Sequence, residues 1–228
     1  MPYKPPVADH LFLLRDVLGI GRYGDLPGFA EASMDTVAQI VEEAGRFTSE
    51  VLAPLNSVGD KQGCTWRPDN TVTTPDGFKA AYKALVEGGW PALGSETEFG
   101  GQGLPHVVNL AFSEMSSSAN MAFSMYPGLT HGAYSAILNG GSPEQKALYL
   151  PKLASGEWCG TMNLTEPHCG TDLGLLRTKA VPQADGSYRI TGQKIWISGG
   201  EHDMADNIVH LVLARVCLLY TSPSPRDS

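Results

Sequence analysis

Cysteine is scarce: four in 228 residues. No two of Cys64, Cys159, Cys169 and Cys217 stand at Cys-x-x-Cys spacing, which argues against a zinc ribbon or a redox pair and leaves free cytosolic thiols as the expectation. His168 adjoins Cys169, but adjacent residues make poor tetrahedral geometry without further ligands, so no metal is expected. Long apolar runs are missing as well. The greasiest stretch, Asn207–Tyr220, carries His210 and Arg215 and falls short of the roughly 20 residues of a membrane helix. The start, Met1-Pro-Tyr-Lys-Pro-Pro, has no signal-peptide apolar region, because Leu11–Leu14 is too short. Positive charge is in short supply: 16 basic against 24 acidic residues give a net charge of −8. That balance argues against a nucleic-acid or anionic-membrane surface.

What is present is a globular composition, 42% apolar and 18% charged, enough to bury a real core. Helical punctuation fills the first half. Asp9–Leu18 reads as a short helix, followed by a Gly/Pro-rich connector, Gly19–Phe29. Val37, Ile40, Val41, Ala44, Phe47, Val51, Leu52 and Leu55 recur at helical spacing, with Ser33 or Asp35 as cap and Pro54 as the end. Thr74 and Pro75 predict the start of another helix and Gly88-Gly89 its stop. Pro105 starts a further one. A helical stretch over Ala119–Leu138 is predicted to break at Pro127-Gly128, and Ser142-Pro-Glu-Gln145 is a capping box. After Trp158 the period changes to two. Asp185-Gly186 between Arg177–Val181 and Tyr188–Thr191 predicts a hairpin, and the whole second part reads as antiparallel β.

Two segments have the chemistry of a binding site. Read as a strand, Lys194-Ile-Trp-Ile-Ser198 turns Ile195 and Ile197 to a core and Lys194, Trp196 and Ser198 to the other face. A flat indole next but one to a hydroxyl suits a planar, hydrogen-bonding ligand, though an interface tryptophan on an amphipathic strand explains the pattern too. In Thr161–Asp172, Gly170 permits close backbone approach, and backbone N–H groups with the Thr171 hydroxyl can hold a phosphate; an ordinary β-loop is the alternative. Phe99-Gly-Gly-Gln-Gly103 lacks the phosphate-loop pattern and reads as a tight connector. His131 and His168 receive no role.

Together, Phe99-Gly-Gly-Gln-Gly103, Leu164-Thr-Glu-Pro-His-Cys-Gly-Thr-Asp172 and Gly192-Gln-Lys-Ile-Trp-Ile-Ser198 resemble the acyl-CoA dehydrogenase family. The resemblance covers residues 33–216. The N-terminal extension, Tyr126-Pro-Gly-Leu-Thr-His131 and Gly200-Glu-His-Asp203 look most like its methylmercaptopropionyl-CoA dehydrogenase branch. The fold it implies is α+β: an N-terminal extension (1–32), a helical domain (33–157), and the start of an antiparallel β-type middle domain (158–216). The activity it implies is α,β-dehydrogenation of an acyl-CoA thioester with FAD as cofactor and an electron-transfer flavoprotein or similar acceptor. The implied setting is a homo-oligomer in the bacterial cytoplasm. By the same resemblance Met162 and Leu164 line the flavin with backbone groups, and the Thr165 hydroxyl meets its pyrimidine end. Gly170 and Thr171 lie at the pyrophosphate, Trp196 shields the ring, and Ser198 sits near flavin N5. An acyl-CoA oxidase or a flavin monooxygenase shares the fold, and a non-catalytic binding relative is a third reading.

The family's general base comes from a later helical domain, so no catalytic residue is assigned, and Glu166 is not the base. The last twelve residues, Cys217–Ser228, depart from the family pattern. They resemble translated sequencing-adaptor sequence and are expected to be a non-native tail. The chain is thus expected to be the first half of a larger flavoenzyme, without turnover of its own.

Overall fold

The computed structural model describes residues 3–216, so the expected tail at Cys217–Ser228 lies outside the described residues. The chain divides into two compact units: residues 3–161 with 198–209, and 162–197 with 210–216. The first is helical. It holds α1 (Val7–Phe12), α2 (Met34–Phe47), α3 (Ala53–Gln62), α4 (Phe78–Glu87), α5 (His106–Ala119), α6 (Met121–Gly140) and α7 (Pro143–Ser155). A small antiparallel pair, β1 (Thr65–Trp66) and β2 (Val72–Thr73), is inserted after α3.

The α2 pattern buries Val37, Val41 and Ala44, and the Ser33 Oγ accepts from the Thr36 N–H at 3.2 Å. Pro54 does not end this helix. The chain continues through a π-helical turn, Thr48–Leu52, into α3, and Pro54 falls in the first turn of that segment. Pro127 likewise fails to break α6, which runs through it. Phe123 on one side and Thr130, Ala133, Tyr134 and Ile137 on the other are buried, and that packing offsets the roughly 3 kcal/mol a mid-helix proline costs. Asn120 opens α6: its Oδ1 accepts from the Phe123 N–H at 3.0 Å, and its Nδ2 donates to the Leu52 carbonyl at 3.2 Å. The capping box before α7 forms as expected.

Thr74 does not cap a helix. Its N–H and hydroxyl both donate to Asp203 Oδ1, at 3.0 and 2.7 Å, and α4 starts later, after the left-handed Gly77. Asp203 belongs to the returning segment 198–209. Beside it, Met204 enters the helical core, and the His202 and Tyr126 rings meet edge-on with centroids 5.0 Å apart. The connector Phe99–Gly103 is a tight turn, as expected. The N–H groups of Gln102, Gly103 and Leu104 donate to the carbonyls of Ala92, Ser95 and Leu93, leaving none of the three for a phosphate.

In the second unit, β4 (Lys179–Pro182) and β5 (Tyr188–Thr191) form the expected antiparallel hairpin, with Gly186 at φ 84° in its turn. The short β7 (Arg215–Val216) joins the other edge of β4 in parallel, so this sheet is mixed. The strand β3 (Trp158–Asn163) pairs with β6 (Asn207–Val212).

Candidate functional site

After β3 the chain folds Leu164–Gly170 into a tight loop, closed by reciprocal backbone bonds between Glu166 and Cys169 at 2.8 and 3.1 Å. Glu166 turns inward and is only 3% exposed. Its Oε2 accepts from the Arg177 N–H at 2.7 Å, and its Oε1 from the Thr178 N–H and the Lys194 ammonium, each at 3.0 Å. The Thr178 side chain, these N–H groups and Lys194 hold the carboxyl far below the usual carboxylate range, against a desolvation penalty that acts the other way. A carboxylate held this firmly in its ionised form is a poor proton acceptor.

Lys194 also donates to the Leu164 carbonyl at 2.8 Å, and the Ile195 N–H donates to the Thr165 carbonyl at 3.0 Å. Three bonds thus staple the 164–166 segment to the 194–195 segment. The buried Glu166–Lys194 pair is the element that motif reading missed. Its only signal was an acid in the first motif and a base in the second.

Lys194–Ser198 is not a strand. Trp196 has φ 59°, in the left-handed region, so the expected alternation fails: Lys194 points inward, while Trp196 is 86% exposed. A non-glycine residue there is strained and is a pointer to function. Gly192 abuts Thr178 so closely that a Cβ would overlap the threonine side chain.

Of the seven residues singled out from the sequence, Met162, Leu164, Thr165, Gly170, Thr171 and Trp196 fall in the second unit; Ser198 opens the segment that returns to the first. Met162, Leu164 and Thr165 are half-buried, whereas Gly170, Thr171 and Ser198 are exposed. Gly170 packs against Thr165: a Cβ on it would lie 3.3 Å from Thr165 Cγ2. Among the described residues the hydroxyls of Thr165, Thr171 and Ser198 form no hydrogen bond, and the Gly170 and Thr171 N–H groups make none either. An exposed indole and uncommitted donors beside a glycine are a donor set that fits a planar ring carrying phosphate.

Glu166, His168 and Cys169 bring ligand atoms within 4.8 Å of one another. Within this cluster the Lys194 ammonium lies 3.0 Å from Glu166 Oε1. Among the described residues no helix is long and apolar enough to cross a membrane.

The chain belongs to the acyl-CoA dehydrogenase family: the family's N-terminal domain model matches residues 34–157. Within it, the chain is similar to the 3-methylmercaptopropionyl-CoA dehydrogenase of Ruegeria pomeroyi, with 46% identity over 94% of this chain and 36% of that protein. A butyryl-CoA dehydrogenase of Syntrophomonas wolfei is 39% identical over 80% of this chain and 30% of its own length. Among solved structures, an acyl-CoA dehydrogenase from Bacillus anthracis complexed with FAD superposes with a TM-score of 0.64 at 29% identity, over 79% of this chain and 29% of that one. The chain therefore spans about a third of the length of these relatives.

Proposed function

We propose that the intact protein is an FAD-dependent dehydrogenase that removes the α and β hydrogens of an acyl-CoA thioester, with 3-methylmercaptopropionyl-CoA as its substrate. The observation that carries this reading is the stapling of Thr165 to Ile195, beside an exposed Trp196 and hydroxyls that have no partner among the described residues. FAD, when bound, supplies the acceptor for the β hydride. The chain's own residues hold it. Thr165 donates to the pyrimidine end, where a preorganised donor stabilises negative charge. Met162 and Leu164 line the ring with backbone groups, the Trp196 indole shields it, and Ser198 offers a hydroxyl near N5. Gly170 and Thr171 receive the pyrophosphate through N–H and hydroxyl donors. The substrate choice is supported by the 46% identity to the Ruegeria protein. The general base of the intact protein comes from a later helical domain. An electron-transfer flavoprotein or similar carrier takes the electrons, and the intact protein works as a homo-oligomer in the bacterial cytoplasm.

Residues 1–228, assayed with FAD, 3-methylmercaptopropionyl-CoA and an artificial electron acceptor, are expected to show no turnover. Residues 1–216 fused to the remaining two thirds of the Ruegeria relative are expected to give a yellow protein that oxidises the same thioester. In that chimera Thr165→Val should lower kcat about a hundredfold, the loss typical of one preorganised donor. A flavin-loaded chimera that oxidises no acyl-CoA would overturn the proposal, and turnover by residues 1–228 would overturn the placement of the base.

A further inference from the structure

The helical unit contains a cavity of about 90 Å3 between α4, α5 and α6, walled by Leu52, Leu85, Trp90, Phe112 and Phe123. Trp90 and Phe112 are stacked there, with centroids 4.5 Å apart and planes 11° from parallel. One polar atom stands out on this wall. Ser116 is 4% exposed, and its Oγ has no hydrogen-bond partner among the described residues. Helical serines and threonines ordinarily turn the hydroxyl back onto a carbonyl one turn earlier. Thr48, Ser49, Ser124 and Thr130 do so here, each to the carbonyl four residues before, at 2.7–3.0 Å. Ser116 does not, although it lies within α5. A buried hydroxyl without a partner is costly, so its retention at a cavity wall points to a partner that arrives with a ligand.

The cavity's other properties define that ligand. Burial lowers the pKa of His131, also on the wall, with the neighbouring His106 acting in the same direction, so the imidazole is neutral at pH 7 and the site carries no charge. A water needs about 10–15 Å3 of such space, so this cavity has room for a tail of only a few heavy atoms. Aromatic walls favour a polarisable sulfur, and a thioether is a weak acceptor for a hydroxyl.

We propose that Ser116 is a specificity-determining residue: its hydroxyl favours a short, uncharged tail bearing a thioether sulfur over an all-carbon tail of the same length. The biological meaning rests on the acyl-CoA reading above, but the cavity is testable without coenzyme A or flavin. Methyl propyl sulfide and pentane are matched probes for the sulfur and all-carbon tails. Their affinities for residues 1–228, followed by NMR shifts of α5 and α6 amides, give a sulfide-to-alkane preference. Ser116→Ala is expected to lower that preference about three- to tenfold, the worth of one hydrogen bond. Its melting temperature should be unchanged or higher, because the variant removes an unpaired polar group. Ser116→Cys, with a weaker donor, should fall between. Ser113→Ala, at an exposed position on the same wall, should leave the preference as it is. An unaltered preference in Ser116→Ala, or no binding of either probe, would overturn the assignment and leave the dehydrogenase proposal standing.

Discussion

Phe123→Ala is expected to destabilise the helical unit by about 3–5 kcal/mol, the range for truncating a fully buried aromatic. Phe123 has no exposed surface, and its ring meets Phe78 edge-on with centroids 5.7 Å apart. It also sits one turn inside α6, where its N–H is held by the Asn120 cap. Truncation therefore removes an aromatic pair, leaves a void against α4, and enlarges a cavity that already exists. Thermal unfolding read by helical circular dichroism should shift down by roughly 6–20 °C for a unit of this size. The comparison with Ser116→Ala is informative, because both side chains line the same cavity and only one of them should lower stability. A loss below about 1 kcal/mol in Phe123→Ala would mean that the ring is not packed as described.

Glu166→Ala is expected to disorganise the second unit while leaving the helices intact. The carboxylate holds two backbone N–H groups and one ammonium. Without it, the largely buried Lys194 keeps only the Leu164 carbonyl, and removing one partner of a buried pair leaves the other charge uncompensated. Amide hydrogen exchange should accelerate at Arg177, Thr178 and Ile195, with helical amides such as Val41 unaffected. The same group dictates an acid response. Its pKa is depressed in the folded chain, so its contribution is complete above the unfolded value of about 4.3. It is lost progressively as pH falls from there toward the folded value. Protection at those three amides should therefore decline below about pH 4 in the natural chain and show no such step in Glu166→Ala. Equal protection in the two proteins at pH 7 would refute the anchoring role.

Local chemistry was legible in the sequence, and distant pairing was not. The capping box at Ser142 and the hairpin at Asp185-Gly186 depend on residues a few positions apart, and both form as the sequence predicts. The positions of Pro54 and Pro127 misled, because a proline's effect depends on where a helix begins and what packs around it. Thr74 looked like a cap until Asp203, remote in sequence, claimed its donors. The candidate binding motifs were recognisable by composition, but period two gave Lys194 the wrong face. Its partner Glu166 lies 28 residues away, and the left-handed Trp196 cannot be read from residue types alone.

The division of the chain bears on how this protein can be dissected. The helical unit takes Met204 into its core and ties Asp203 to Thr74, so it is completed only after the chain has passed through the second unit. No single cut yields it whole. A fragment ending at Thr161 would lose a core methionine and an acceptor for two donors, and a protease nick between 162 and 197 would leave two pieces still joined by their packing. During synthesis, too, the helices emerge long before the residues that finish their core, so the first unit closes late.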